Sequence, residues 1–229
     1  MSQPVFLITG ASTGIGAATA RRAAAEGYRV VLGARSADKL AALADELGGA
    51  ERALAVPCDV TEWGQQEAMV AAALDAFGRL DVAFANAGFG ATRGFLEESP
   101  EHWRAMVLTN VYGPALTIRA TIPALRESRG HIVLTGSVAG RVVLPGSLYS
   151  CTKHAVTAMA GAARQELGGS GVRVTLLSPG MVATPFFEAD VSAYALAADD
   201  VADAVLYAVT RPPKVDVGEI LIAPNAAAG

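Results

Sequence analysis

Tyr149 and Lys153 stand four residues apart in the segment Tyr149-Ser-Cys-Thr-Lys153. On a helix that spacing puts a phenol and an ammonium on one face, about 6 Å apart at Cβ. A free phenol titrates near ~10, too high for efficient proton shuttling at neutral pH. A neighbouring cation stabilises phenolate and lowers that value by ~1–3 units. The pair is therefore a candidate acid/base catalyst.

A second group of residues could hold a nucleotide. The run Thr9-Gly-Ala-Ser-Thr-Gly-Ile-Gly16 follows an apolar stretch and precedes an alanine-rich one. In a strand–turn–helix unit such a run lets backbone N–H groups and a helix N-terminus face a pyrophosphate, though any tight strand-to-helix turn also favours glycine. The next apolar stretch, Tyr28–Leu32, should end near an adenosine ribose. It is followed by Gly33-Ala34-Arg35-Ser36, with no acid before Asp38. A carboxylate there suits the free ribose hydroxyls of NAD, whereas the Arg35 guanidinium suits the 2′-phosphate of NADP(H), the favoured cofactor. The alternative is a solvated loop arginine.

These groups need a frame. Short apolar runs at Val5–Thr9, Tyr28–Leu32, Ala53–Val56, Val82–Ala85, His131–Thr135, Val172–Leu177 and Glu219–Ile222 read as strands, mostly buried on both faces. Between them Gly16–Glu26, Ala37–Leu47, Glu62–Phe77, Pro100–Arg126, Tyr149–Leu167 and Asp199–Thr210 read as helices. Gly27, Gly48, Gly78 and Gly168 stand where left-handed caps belong; Ser36 or Asp38, Thr61 and Ser99 stand at N-caps, with Pro100 in a first turn. The alternation implies an α/β, Rossmann-like, doubly wound sheet of about seven parallel strands with helices on both faces. Residues 1–229 form one domain, with Pro179–Ala198 a candidate mobile loop.

Composition narrows the partners. The 229 residues include 52% hydrophobic and 17% charged positions and carry a net charge of −4, which argues against nucleic acid. The N-terminus reads as a first strand and not as a signal peptide, and no apolar run approaches ~20 residues, so the expectation is a cytoplasmic chain that crosses no membrane. Cys58 and Cys151 lack metal or disulfide spacing, and Cys151 reads as a small core filler. His102, His131 and His154 show no ligand spacing, so no metal site is expected.

Together TGASTGIG, Asn86-Ala-Gly88, Asn110, Ser137, YSCTK and Pro179-Gly180, in this order, resemble the short-chain dehydrogenase/reductase family over nearly the whole chain. The resemblance implies hydride transfer between a nicotinamide and a ketone, aldehyde or secondary alcohol. Tyr149 would be the acid in reduction and the base in oxidation. Lys153 would lower its pKa and hold the nicotinamide ribose, and Ser137 would bond the substrate oxygen. Asn110 would support a water linking Lys153 to solvent. Gly10, Ser12, Thr13, Gly14, Ile15 and Gly16 would line the pyrophosphate, Asp59 and Val60 the adenine, and Asn86, Ala87 and Gly88 the ribose region. Pro179, Gly180, Val182 and Thr184 would position the nicotinamide. The family also implies a homodimer or homotetramer. A catalytically silent NADP(H)-binding regulatory protein is the rival reading, one that has no reason to keep all four of Asn110, Ser137, Tyr149 and Lys153. An extended-type epimerase or dehydratase is disfavoured, because Thr13 occupies the position of a required glycine. Phe89, Val138, Leu144, Phe186 and Phe187 would make the cleft apolar, with Arg93 and Arg141 its nearby cations; Phe186 and Phe187 could equally anchor the loop.

Overall fold

In the computed structural model, which describes residues 3–186 and 190–225, seven strands form one all-parallel sheet in the order β3-β2-β1-β4-β5-β6-β7. The strands are β1 (Val5–Thr9), β2 (Arg29–Ala34), β3 (Ala53–Pro57), β4 (Val82–Ala85), β5 (His131–Thr135), β6 (Arg173–Pro179) and β7 (Glu219–Ile222). Every residue of β1 is buried. Successive side chains of a strand point to opposite faces, so Phe6 and Ile8 enter one core while Val5 and Leu7 enter the other. That double burial explains the unbroken apolar runs.

One face carries α1 (Gly14–Ala25), α2 (Ala37–Glu46) and α7 (Ala198–Val209); the other carries α3 (Trp63–Phe77), α5 (Gly113–Ser128) and α6 (Leu148–Leu167). The fold is the expected Rossmann-like doubly wound one. Strand order reverses between β1 and β4, and the crevice beyond their C-terminal ends is where such sheets bind ligands.

Several local expectations change. The stretch read as one helix from Pro100 to Arg126 is α4 (Pro100–Val107), a π-helical turn at Leu108–Tyr112, and α5. Asn110 lies in that turn and is buried. Gly27, Gly48 and Gly78 have positive φ, but Gly168 does not; the left-handed residue there is Gly169, at φ 83°. Thr61 is not a cap, because Glu62 holds that place and Thr61 instead bonds Asp59; Ser36 holds its cap position without a side-chain bond. Ser99 does cap α4, accepting from the His102 amide at 3.1 Å.

Candidate active site

Helix α6 begins with a built N-cap: Ser147 Oγ accepts from the Ser150 amide at 3.1 Å. Two residues further in comes Tyr149, and one turn later Lys153, on the face turned to the sheet. Lys153 is 5% exposed, and its ammonium donates to the Thr135 carbonyl at the end of β5, at 2.8 Å. Its Nζ lies 5.6 Å from the centre of the Tyr149 ring. Ser137, just beyond β5, is buried. Its Oγ accepts from the Ala139 amide at 3.1 Å and shares a hydrogen bond with Tyr149. Three groups from two elements thus converge at one strand end.

Burial, not the neighbouring cation, dominates the titration of this pair. Desolvation pushes the Tyr149 phenol up to about 12, opposed by the Ser137 hydrogen bond, and pushes Lys153 down to about 8. The expectation of a lowered Tyr149 pKa is therefore corrected for the protein by itself: removing water from both groups disfavours both charged forms. Tyr149 therefore rests as a neutral phenol.

Asn110 is 1% exposed, and its carboxamide clamps the Phe89 backbone. Oδ1 accepts from the Phe89 amide at 3.0 Å, and Nδ2 donates to the Phe89 carbonyl at 2.8 Å and to Thr152 Oγ1 at 3.2 Å. The π turn aims this side chain, and Thr152 on α6 ties it to the helix of Tyr149. Gly88 lies between them. A Cβ there would stand 3.1 Å from Asn110 Oδ1 and 3.8 Å from Lys153 Nζ, and Gly88 itself is exposed.

The glycine turn fits a dinucleotide phosphate. Gly10 has φ 66°, and a Cβ on it would lie 2.9 Å from the Ala87 Cα; a Cβ on Gly16 would collide with the Gly10 carbonyl. At the head of α1, Thr13 makes no side-chain cap bond and the first turn has no acid. Its opening amide groups are left for an anion. Ser12, Thr13, Gly14 and Ile15 remain partly accessible around it. Asn86 is committed elsewhere: Nδ2 donates to the Thr9 carbonyl at 3.0 Å and Oδ1 accepts from Thr135 Oγ1 at 3.2 Å. It locks β4 to β1 and β5, so Asn86 and Ala87 shape the turn's wall. Thr9, whose Oγ1 receives the amides of Asn86 and Ala87 at 3.0 and 3.2 Å, completes this knot.

Arg35 is exposed at the end of β2, close enough for its charge to help hold the Asp59 carboxyl below its usual range; the Thr61 amide does most of that. Val60 is buried, its side chain close to Gly113. Pro179 ends β6, and the Gly180 amide donates to Ile222. Val182 is buried and bridges to Leu196, while Thr184 comes back over the glycine turn, its Cβ 3.2 Å from where a Gly14 Cβ would be. Thr9, Thr135 and Thr152 were given no role of their own from sequence, and His102 was read only as lacking ligand spacing. Only Thr9, which heads the glycine run, carried a signal.

Two sequence readings fail here. Arg141 does not face the cleft; its guanidinium pairs with Glu219 on β7, 78 residues away in sequence. Cys151 is exposed on the outer side of α6 and is no core filler. Phe187 lies outside the described residues. Among the described residues no group of three or more His, Cys, Asp or Glu could hold a metal ion, and no helix is long and apolar enough to cross a membrane.

The strand order and the glycine turn before α1 define a Rossmann-like protein, with the Tyr149, Ser137 and Lys153 side chains converging at the end of β5. Residues 4–195 match the family model for short chain dehydrogenase, and the chain belongs to that family of oxidoreductases. It is 38% identical over 224 residues, covering 96% of each chain, to an uncharacterized oxidoreductase of Staphylococcus haemolyticus. An alcohol dehydrogenase from the archaeon Thermococcus sibiricus, complexed with 5-hydroxy-NADP, superposes with a TM-score of 0.89 at 32% identity over 96% of each chain. The 3-ketoacyl-(acyl-carrier-protein) reductase of Brucella melitensis, complexed with NADH, gives 0.89 at 29% identity over 97% of each chain.

Proposed function

We propose that the protein is an NADP(H)-dependent oxidoreductase acting on a mainly apolar ketone, aldehyde or secondary alcohol, with Tyr149 as its acid/base. The supporting observation is the meeting of the Tyr149 phenol, the Ser137 hydroxyl and the buried Lys153 ammonium beside the glycine turn. The bound nicotinamide supplies or accepts the hydride. Gly10, Ser12, Thr13, Gly14, Ile15 and Gly16 would hold its phosphates, Asp59, Val60 and the knot of Asn86, Ala87 and Gly88 its adenosine side, and Pro179, Gly180, Val182 and Thr184 its nicotinamide side.

In reduction, the Ser137 and Tyr149 hydroxyls hold the substrate oxygen and stabilise the charge that develops on it. Tyr149 then gives that oxygen its proton, and the phenolate left behind is stabilised by Ser137 and the Lys153 ammonium. Lys153 restores the proton, drawing on water past the exposed Gly88, beside which Asn110 pins Phe89. Oxidation runs the same path in reverse. Replacing Tyr149 with Phe is expected to lower turnover ~10²- to 10⁴-fold on a carbonyl panel followed by NADPH absorbance. Turnover close to wild type would refute the proton-transfer role.

Arg35 supports the choice of NADP(H), since it is exposed at the ribose end of β2 and no acid precedes Asp38. Relatives of known structure carry either NADP-type or NAD-type cofactors, so the choice rests on this residue. With Arg35→Ala, NADPH should bind roughly tenfold more weakly, the size of one lost charged hydrogen bond, while NADH binding stays unchanged. Equal affinities for both cofactors in both proteins would remove Arg35 from the argument. The same reading includes one cytoplasmic domain, a substrate loop near 180–198, and a homodimer or homotetramer, which sedimentation tests.

A further inference from the structure

We propose that Phe186 sets substrate selectivity, and that Gly90 is glycine in order to seat it. The inference rests on the carbonyl chemistry proposed above. Phe186 leaves the segment after β6 and crosses to the other side of the cleft, where its ring meets that of Tyr149 edge to face, centroids 5.6 Å apart at 61°. Two rings at that distance are in contact. No substituent on the reacting carbon fits between them, so a substrate approaching the Tyr149 hydroxyl presents its smaller group on the Phe186 side. Aldehydes and methyl ketones satisfy that condition; ketones with two long arms do not.

The seat is rigid. A Cβ on Gly90 would lie 2.8 Å from Phe186 Cζ and 3.2 Å from Cε1. The backbone around residue 90 cannot retreat: Asn110 clamps Phe89 from both its amide and its carbonyl, and His102 Nε2 donates to the Gly90 carbonyl at 2.9 Å. The Phe89 ring is itself packed edge to face on His102, at 5.2 Å. Any side chain at 90 must therefore displace the phenylalanine. On the other flank Phe186 is anchored as well. Its amide reaches Thr184 Oγ1 at 3.4 Å, and the segment is bridged to Leu196 through Val182 and Ala183. Phe186 is still 41% exposed, so one side of its ring borders the open cleft while the other is held.

The pair 2-octanone and 4-decanone isolates this effect, because both ketones carry a hexyl arm and differ only in the smaller arm, methyl against propyl. An extra methylene or two in a tight apolar site is worth roughly 10- to 200-fold in kcat/KM. Wild type should prefer 2-octanone at least about tenfold, and Phe186→Ala should reduce that ratio about tenfold by admitting the longer arm. Gly90→Ala should alter the ratio in the wild-type background and leave it unchanged in Phe186→Ala, where nothing remains to displace. A general loss of folded or active protein cancels in the ratio. An active enzyme whose ratio is the same in wild type and Phe186→Ala overturns the inference alone, as does a Gly90→Ala effect that persists without Phe186. A wild-type protein inactive on every carbonyl tested, with either cofactor, overturns the underlying reading and this inference with it.

Discussion

Lys153 is a residue the fold holds at a cost. An ammonium 5% exposed, with one carbonyl partner and a pKa pushed from 10.5 down to about 8, is worse off folded than unfolded. Between about pH 8 and 10.5 the unfolded chain keeps a proton the folded chain has lost, so the penalty is full below pH 8 and fades as pH rises towards 10.5. Two and a half pK units correspond to about 3 kcal/mol, and a methionine leaves the Thr135 carbonyl unpaired at about 1 kcal/mol. Lys153→Met should therefore raise the unfolding free energy at pH 7 by about 2 kcal/mol while abolishing turnover, a trade expected at a catalytic position. Denaturant titration beside an activity assay measures both, and a destabilised variant would contradict the assignment of that penalty. Activity has its own signature. The protonated lysine is lost as pH rises through about 8, so kcat/KM for reduction should fall in that range, and Lys153→Arg, which does not titrate there, should lack the alkaline fall.

Helix α6 delivers Tyr149 and Lys153 only if its first turn is well made. Ser147, buried and bonded to the Ser150 amide, caps that turn. Ser147→Ala should cost about 1 kcal/mol in urea unfolding, against the few tenths expected if the turn is held by packing alone. The elements themselves were largely legible, for physical reasons. Strands such as Val5–Thr9 and His131–Thr135 are buried on both faces and read as unbroken apolar runs, and Ser99-Pro100 marks a helix start by cap chemistry. The π turn at Leu108–Tyr112 was invisible, since one inserted residue barely disturbs helical periodicity over Pro100–Arg126. Long-range pairing was equally hidden. Nothing near Arg141 in sequence reveals Glu219, and nothing in YSCTK reveals that burial outweighs the cation in setting the Tyr149 pKa.

At the scale of the whole molecule, chemistry gathers at the C-terminal end of the sheet, and the opposite end carries a titratable group of another kind. His131 opens β5, 1% exposed, with Nε2 on Thr175 Oγ1 at 2.7 Å and Nδ1 without a partner among the described residues. Desolvation pushes it down to about 3. From pH 6.5 to 3 the unfolded chain binds a proton that the folded chain refuses, so stability falls with pH in that window. From pH 7 to 5 the loss due to this one group is about 2 kcal/mol. His131→Gln should flatten that slope in urea unfolding at the two pH values; an unchanged slope would show that His131 is not its source.

The strand order also bears on how the chain is made. β1 has its first neighbour, β2, once residue 34 exists, but its second edge waits for β4, which ends at residue 85. During synthesis from the N-terminus at roughly 5–20 residues per second, those 51 residues take about 3–10 s. Over that time Val5–Thr9, five residues of which four are apolar, is a bare strand edge, the kind that pairs with other chains. The finished sheet covers that edge with β4, so the hazard belongs to synthesis, and it sits on the strand that will later carry the glycine turn.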